Sequence, residues 1–308
     1  MPLKKIELRQ KLGVGDIVTF YFDFLKQNFK SFTNIFINYN GVFILGFLGI
    51  SYLLVTGFIG LFSSDSFLND SSSEITSLMY IGFGGFLFLI LFMIVAALNY
   101  SLSSSYISLY VSQDSIEINK KDIWQKVKSN SSNIIIFVIL LIVIYTGYFI
   151  ASIILAIIPI IGSIAQYILN FALTSWIGVS FMVLMHEKQT VSNSFGEGWQ
   201  LVTKNFWKCV GTNFITGLLT ALLLILVLSI PGILIGFYAF HAVETGVDMA
   251  NSVVAKIIWI IALWFLLIVS SYSQALTQFI NGILYFSLHE QMYNENTRAK
   301  IEEIGSEG

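Results

Sequence analysis

The sequence predicts an all-α integral membrane protein: six transmembrane helices forming three hairpin repeats, each preceded by a cytoplasmic amphipathic interfacial helix. Three observations carry this reading. First, only 11% of the 308 residues are charged and 56% are hydrophobic, whereas soluble domains carry about 25% charged residues. The mean hydropathy is +0.79. Second, residues 31–64, 75–113, 129–186, 209–243 and 257–289 contain no Asp, Glu, Lys or Arg. Third, all but one of the 16 Lys and Arg residues fall on one side of the membrane once those stretches are threaded through it.

A helix needs roughly 20 apolar residues to cross about 30 Å of hydrocarbon. The first charge-free stretch predicts a span over 35–62, and the second a span over 76–100 that runs on helically to 112. Stretch 129–186 is too long for one crossing and holds Pro159-Ile160-Ile161-Gly162 near its middle, so it predicts a hairpin of spans 133–158 and 165–186. A fifth span is expected over 209–230, closed by Pro231-Gly232, and a sixth over 254–289. The apolar runs are continuous, whereas the strands of a lipid-spanning barrel alternate polar and apolar residues.

Six crossings leave both termini on one side. The opposite-side segments 63–75, 159–164 and 231–253 carry Asp65, Asp70, Glu74, Glu244 and Asp248 but no Lys or Arg, and Lys256 at the edge of span six is the one exception. The positive-inside rule therefore places both termini in the cytoplasm. The composition, rich in Phe, Ile, Asn and Lys and poor in Pro, points to a bacterial cytoplasmic (inner) membrane. No cleaved signal peptide is read at the N-terminus, because no short apolar core precedes a small-residue cleavage site. The single cysteine, Cys209, excludes an intrachain disulfide framework.

An element recurs in the cytoplasmic segments. Trp124-Gln125-Lys126-Val127-Lys128-Ser129-Asn130 matches Trp199-Gln200-Leu201-Val202-Thr203-Lys204-Asn205, and Phe22-Asp23-Phe24-Leu25-Lys26-Gln27-Asn28 is a weaker copy. Each copy precedes an odd-numbered span. In the first, Thr19, Asp23, Lys26 and Lys30 form a polar stripe at helical spacing, with Ile17, Tyr21, Phe24 and Phe32 elsewhere. In the third, Val191, Phe195, Trp199, Val202 and Phe206 are expected on one face, with Glu197, Lys204 and Lys208 on the other. Aromatic rings at headgroup level, with lysines reaching for anionic phosphates, suit an interfacial helix. One membrane domain over 1–290 is expected, with repeats over about 16–112, 119–188 and 190–290 and a polar C-terminal tail over 291–308. Phe22, Trp124, Trp199, Lys126, Lys204 and Lys208 are the candidate interfacial or partner-binding residues.

The even-numbered spans carry polar residues in their cytoplasmic halves. Asn99, Thr174, Gln274, Thr277 and Asn281 lead this set, with Asn99, Thr174 and Thr277 at matching depth. They fit either a polar-lined cavity for a small solute or lipid headgroup, or interhelical packing. The same spans end alike, at Ser108-Leu109-Tyr110-Val111, Val183-Leu184-Met185-His186-Glu187 and Ser287-Leu288-His289-Glu290. Neither His-Glu pair has a second His within a turn, and adjacent residues diverge by about 100° on a helix, so both pairs read as helix ends rather than a metal site. Gly82, Gly84 and Gly85 read as close helix packing, and Cys209 as an inert interfacial residue. Lys256 at the edge of span six aside, no ionisable Asp, Glu, Lys or Arg lies within a span, which argues against an ion-coupled transporter.

The closure of span three by Pro159, the span-four exit Val183-Leu184-Met185-His186-Glu187, and the amphipathic helix ending Trp199-Gln200-Leu201-Val202-Thr203-Lys204-Asn205 resemble the bacterial family known as the membrane domain of glycerophosphoryl diester phosphodiesterase. In the family's name-giving members this module is joined to a soluble (β/α)₈ phosphodiesterase barrel of typically about 250 residues. No segment here is long enough to form that barrel. The resemblance therefore implies a stand-alone membrane module without the hydrolase. No catalytic, cofactor-binding or metal-binding residues are expected, and no cofactor. The function expected is that of a non-enzymatic accessory or scaffold module organising lipid or a partner protein; the alternative is an uncoupled carrier or channel for a small solute or lipid. Membrane lipid, a membrane-protein partner or a second copy are the expected partners, and nucleic acid is not.

Overall fold

The computed structural model describes residues 5–62, 71–113, 118–246 and 252–306. Lys4, Asp65, Asp70 and Asp248 lie outside the described residues. The described chain is helical, without a strand: α1 (Val14–Phe62), α2 (Ser71–Ser112), α3 (Lys120–Ser129), α4 (Ser131–Ala156), α5 (Ile161–Glu187), α6 (Val191–Lys204), α7 (Phe206–Thr245), α8 (Val253–Tyr293) and α9 (Glu295–Ser306). Six of these, α1, α2, α4, α5, α7 and α8, are long and apolar enough to cross a membrane. Ile135, Ile139, Val143 and Phe149 on α4, and Ile225, Leu226, Leu234 and Phe237 on α7, are all exposed. Water would penalise so much bare apolar surface, and lipid would not.

The helices end where the backbone demands it. The α4–α5 hairpin turns at Pro159, and Gly162 passes so near α4 that a Cβ there would fall 1.9 Å from the Leu155 carbonyl oxygen. α3 is capped by the Asn119 side chain, which accepts from Lys121 N–H, and α6 by Thr190, which accepts from Asn193 N–H. Two expectations need correction. Pro231 does not close the fifth span: α7 continues through it to Thr245 and stops before Gly246, at φ +68°. Proline forfeits one backbone bond, but apolar surroundings offer the freed carbonyl no competing water, so the helix survives it. Nor is the first amphipathic segment a separate helix, since α1 runs unbroken through Asn28. The other two copies break after their asparagine, Asn130 at φ −105° and Asn205 at φ −129°.

The chain divides into two compact units. The first comprises Met1–Ile35, Ala97–Leu219 and Gln274–Gly308. Its core is an aromatic cluster in which Phe24 meets Tyr110 edge-on at 5.0 Å and Phe32 meets Phe279 at 4.4 Å, with Tyr106 lying 5.9 Å from Phe279. These pairs gain from edge-to-face geometry as well as burial. The tyrosine hydroxyls are partnered: Tyr106 donates to Asn28 Oδ1 at 2.9 Å and Tyr110 to Gln27 Oε1 at 2.9 Å.

The second unit comprises Phe36–Ala96 and Thr220–Ser273. Phe47, Ile50, Val95 and Leu267 form its core. Trp264 donates to the Ile44 carbonyl at 2.8 Å. Of the three neighbouring glycines in α2, only Gly84 makes a close approach: a Cβ there would lie 3.0 Å from that of Leu53, while Gly82 and Gly85 face open space. Lys256, the exception to the charge segregation, sits 5.4 Å from the centroid of the Tyr52 ring.

Candidate functional site

The polar residues of the first unit gather into two networks. In the inner one, Asn213 Nδ2 donates to Ser175 Oγ at 2.7 Å and to Asn281 Oδ1 at 3.1 Å, tying α5, α7 and α8 together. Asn281 Nδ2 reaches the Thr174 carbonyl at 3.5 Å. Gln278 donates to Ser104 Oγ at 2.8 Å and to the Gly178 carbonyl at 3.1 Å, joining α2, α5 and α8. Gly178 makes room for this: a Cβ there would lie 2.3 Å from Asn281 Nδ2. Of the sequence-predicted set, Asn281 sits at the centre and Asn99 is fully buried. Thr174 contributes its carbonyl and turns its hydroxyl to Asn170 O on its own helix. Gln274 and Thr277 are half-buried. The buried side-chain oxygens Ser105 Oγ, Ser180 Oγ, Thr212 Oγ1 and Gln274 Oε1 make no hydrogen bond to protein.

The outer network is built where the even-numbered spans end. Ser108 of α2 and His186 of α5 meet, Oγ to Nδ1, at 2.7 Å. Arg9 Nη2 lies 3.2 Å from His186 Nε2, and Arg9 Nη1 pairs with Glu295 at 3.1 Å. A guanidinium only donates, so Nε2 accepts and the neutral ring carries its proton on Nδ1, which donates to Ser108. Lys126 Nζ donates to the same Ser108 oxygen. Burial, reinforced by the Lys188 ammonium nearby, pulls the Lys126 amine down to about 8. Glu187, beside His186, accepts from Tyr285 and Gln189 and lies 3.6 Å from His289. Lys208 donates to Ser287 Oγ at 3.0 Å and Gln291 Oε1 at 3.1 Å, and Tyr293 donates to Glu197 at 2.7 Å. The C-terminal tail belongs here too. Glu290 accepts from the backbone N–H groups of Asn296 and Thr297 at the start of α9, while Asn296 donates to Glu7 and the Arg9 carbonyl.

Two of the lysines expected to reach for lipid phosphate, Lys126 and Lys208, are thus hydrogen-bonded within the protein, while Lys204 is exposed. The three aromatic residues at the equivalent place of each copy point outward: Phe22 is 44%, Trp124 39% and Trp199 55% exposed. Their neighbours turn inward: Tyr21 and Phe24, Ile123 and Val127, Gly198 and Leu201 are buried. The asparagine closing each copy makes one common bond to the carbonyl four residues back: Asn28 to Phe24, Asn130 to Lys126 and Asn205 to Leu201. In α6 the buried stripe is Val191, Ser194, Gly198, Leu201 and Val202 rather than the expected run through Trp199. Small residues prevail because α6 lies flush on α5, where a Cβ on Gly198 would fall 2.1 Å from Ser180 Oγ.

Sequence reasoning read His186 as a helix end and gave Arg9 and Ser108 no role in a site. The signal was the common ending of the even spans, which puts Ser108, His186 and His289 at one level. Arg9 had no such signal, since only the fold brings the N-terminal segment there. Among the described residues, no three His, Cys, Asp or Glu side chains are grouped to hold a metal ion. No family model, curated protein or solved structure matches the chain.

Proposed function

We propose that this chain is a non-enzymatic accessory module of a bacterial inner membrane, with both termini in the cytoplasm, which organises lipid or a partner protein through its cytoplasmic face. The observation carrying this reading is the exposure of Phe22, Trp124 and Trp199 at the same place in three segments, each with buried residues beside it. A large ring left outside while its neighbours are packed is suited to headgroup level or to a partner's surface. The common asparagine bond supports a threefold repeat of interfacial segment and hairpin. The family resemblance to a membrane domain without its phosphodiesterase barrel agrees with this reading.

Replacing Trp124 and Trp199 by Ala tests it. Copurification in mild detergent, followed by mass spectrometry, should recover a protein or lipid with the wild type and lose it with the variant. Identical recovery from both would refute the reading. A second reading, an uncoupled carrier or channel, draws on the unpartnered oxygens of Ser105, Ser180, Thr212 and Gln274. Solute flux through the purified protein in liposomes, abolished by Gln274→Leu, would favour it instead.

A further inference from the structure

Residues 5–12 form neither helix nor strand. Among the described residues this segment bonds to its own backbone once, from Gln10 N–H to the Leu8 carbonyl at 3.0 Å. Its other anchors lie at the ends of the three even-numbered spans, one on each. Ile6 N–H donates to the Tyr110 hydroxyl of α2 at 2.8 Å. Arg9 donates to His186 Nε2 of α5 at 3.2 Å, and its guanidinium carbon lies 5.7 Å from the centroid of the Phe286 ring. Leu12 N–H donates to Ser287 Oγ of α8 at 3.1 Å. Leu8 and Leu12 are buried between these anchors, while Glu7 and Lys11 are exposed. The segment thus crosses the polar ends of α2, α5 and α8, where Tyr110 and Ser287 are fully buried.

A second element holds the segment in place. Glu290, 3% exposed, accepts the backbone N–H groups of Asn296 and Thr297, which fixes the start of α9 against the end of α8. From that position Asn296 Nδ2 donates to Glu7 at 2.7 Å and to the Arg9 carbonyl at 2.9 Å, and Glu295 pairs with Arg9 at 3.1 Å. Packing beside the segment is open: a groove of about 370 Å³ lies between Arg9, Gln10 and Lys11 on one side and Glu290, Thr297 and Ile301 on the other.

We infer that residues 5–12 are a strap, latched by α9, which closes the polar ends of α2, α5 and α8 and lifts off them as a unit. Lifting breaks no bond within any helix. It exchanges a few side-chain contacts for water and uncovers two leucines, so it lies at the low-stability end of the openings available to the fold. Raised, the strap would expose the Tyr110, His186 and Ser287 side chains, and with them the way into the inner polar network. The inference goes beyond the scaffold reading and does not rest on it.

The test uses the full-length protein in mild detergent, in a Cys209→Ser background, and follows the rate of maleimide labelling. Ser287→Cys places a thiol under the strap. Ala275→Cys places one in the buried core of the same unit, about 18 Å further along α8, and reports loss of the fold itself. Arg9→Ala with Asn296→Ala removes the latch. Arg298→Ala, exposed on α9, is the control. The thiol at position 287 should be protected in the otherwise unaltered protein and react about tenfold or more faster without the latch, since several hydrogen bonds, one of them charge-assisted, are lost together. The control should change that rate less than about twofold. The thiol at position 275 should stay protected throughout. Free labelling at 287 with the latch intact, equal rates with and without it, or labelling at 275 rising together with 287 would overturn the inference, the last by showing that these contacts hold the whole unit together and not a strap.

Discussion

Replacing Gly198 by Ala should unseat α6 from α5. The new Cβ would lie 2.1 Å from Ser180 Oγ, which can rotate away, but also 2.9 Å from Ser180 Cα, which cannot. Carbon atoms pack at roughly 3.5–4.0 Å, so α6 must retreat by about 0.6–1 Å. Overpacking of this kind costs about 1–3 kcal/mol. Alanine also favours a helix over glycine by roughly 1 kcal/mol, which would mask part of the cost. Gly196, on the same helix, cancels that masking: it is exposed, and a Cβ there meets nothing within 4 Å. Gly196→Ala should therefore be neutral or slightly stabilising, and G198A should be less stable than G196A by about 1–3 kcal/mol. Equilibrium unfolding in mixed micelles measures that difference. Tryptophan emission gives a second readout, because Trp199 adjoins Gly198 and its ring lies 5.3 Å from that of Trp176. Equal stabilities with unchanged emission would refute the seating of α6.

Asn281→Ala removes the acceptor for Asn213 and the bond to Thr174 O, and should destabilise by about 1–2 kcal/mol, counting about 0.6 kcal/mol for each interhelical bond plus the space left behind. Thr146→Val should change little in the same unfolding assay, because that exposed hydroxyl bonds only to Ile142 O on its own helix. Lys126→Met should raise the melting temperature at pH 7. The folded-state pKa, pulled down by burial to about 8, is below the ordinary lysine value of 10.5, so the folded protein resists charging this amine. Below pH 8 the resistance is fully felt; between 8 and 10.5 the unfolded chain holds the extra proton, wild-type stability rises with pH, and the advantage of the variant shrinks. A gap in melting temperature that widens from pH 7 to pH 10 would contradict this.

Charge-free length made the six long helices legible, because a chain in hydrocarbon must satisfy its own backbone and can spare no charge. The helix ends were less so. Pro159 and Pro231 look alike in sequence, yet only the first turns the chain, since tight reversal at Gly162 accompanies it and no reversal accompanies Pro231. Asn281 was legible as a polar residue at helical spacing, but its partner Asn213 was not, because it lies on α7, outside the even-numbered set. Lys126 and Lys204 are equally basic in sequence. Only tertiary contact distinguishes a lysine drawn onto Ser108 from one left exposed. Arg9 reaches His186 across 177 positions of chain, a distance over which periodicity carries no information.

In the proposed topology the chain crosses a bilayer six times with its cationic face on the cytoplasmic side. Single cysteines at Lys26, Lys204, Glu74 and Glu244 in a Cys209→Ser background, labelled on intact cells with a membrane-impermeant maleimide, test it most directly. Positions 74 and 244 should react at once, and positions 26 and 204 only after permeabilisation. Labelling of position 204 on intact cells, or protection of position 74 or 244 until permeabilisation, would contradict the account.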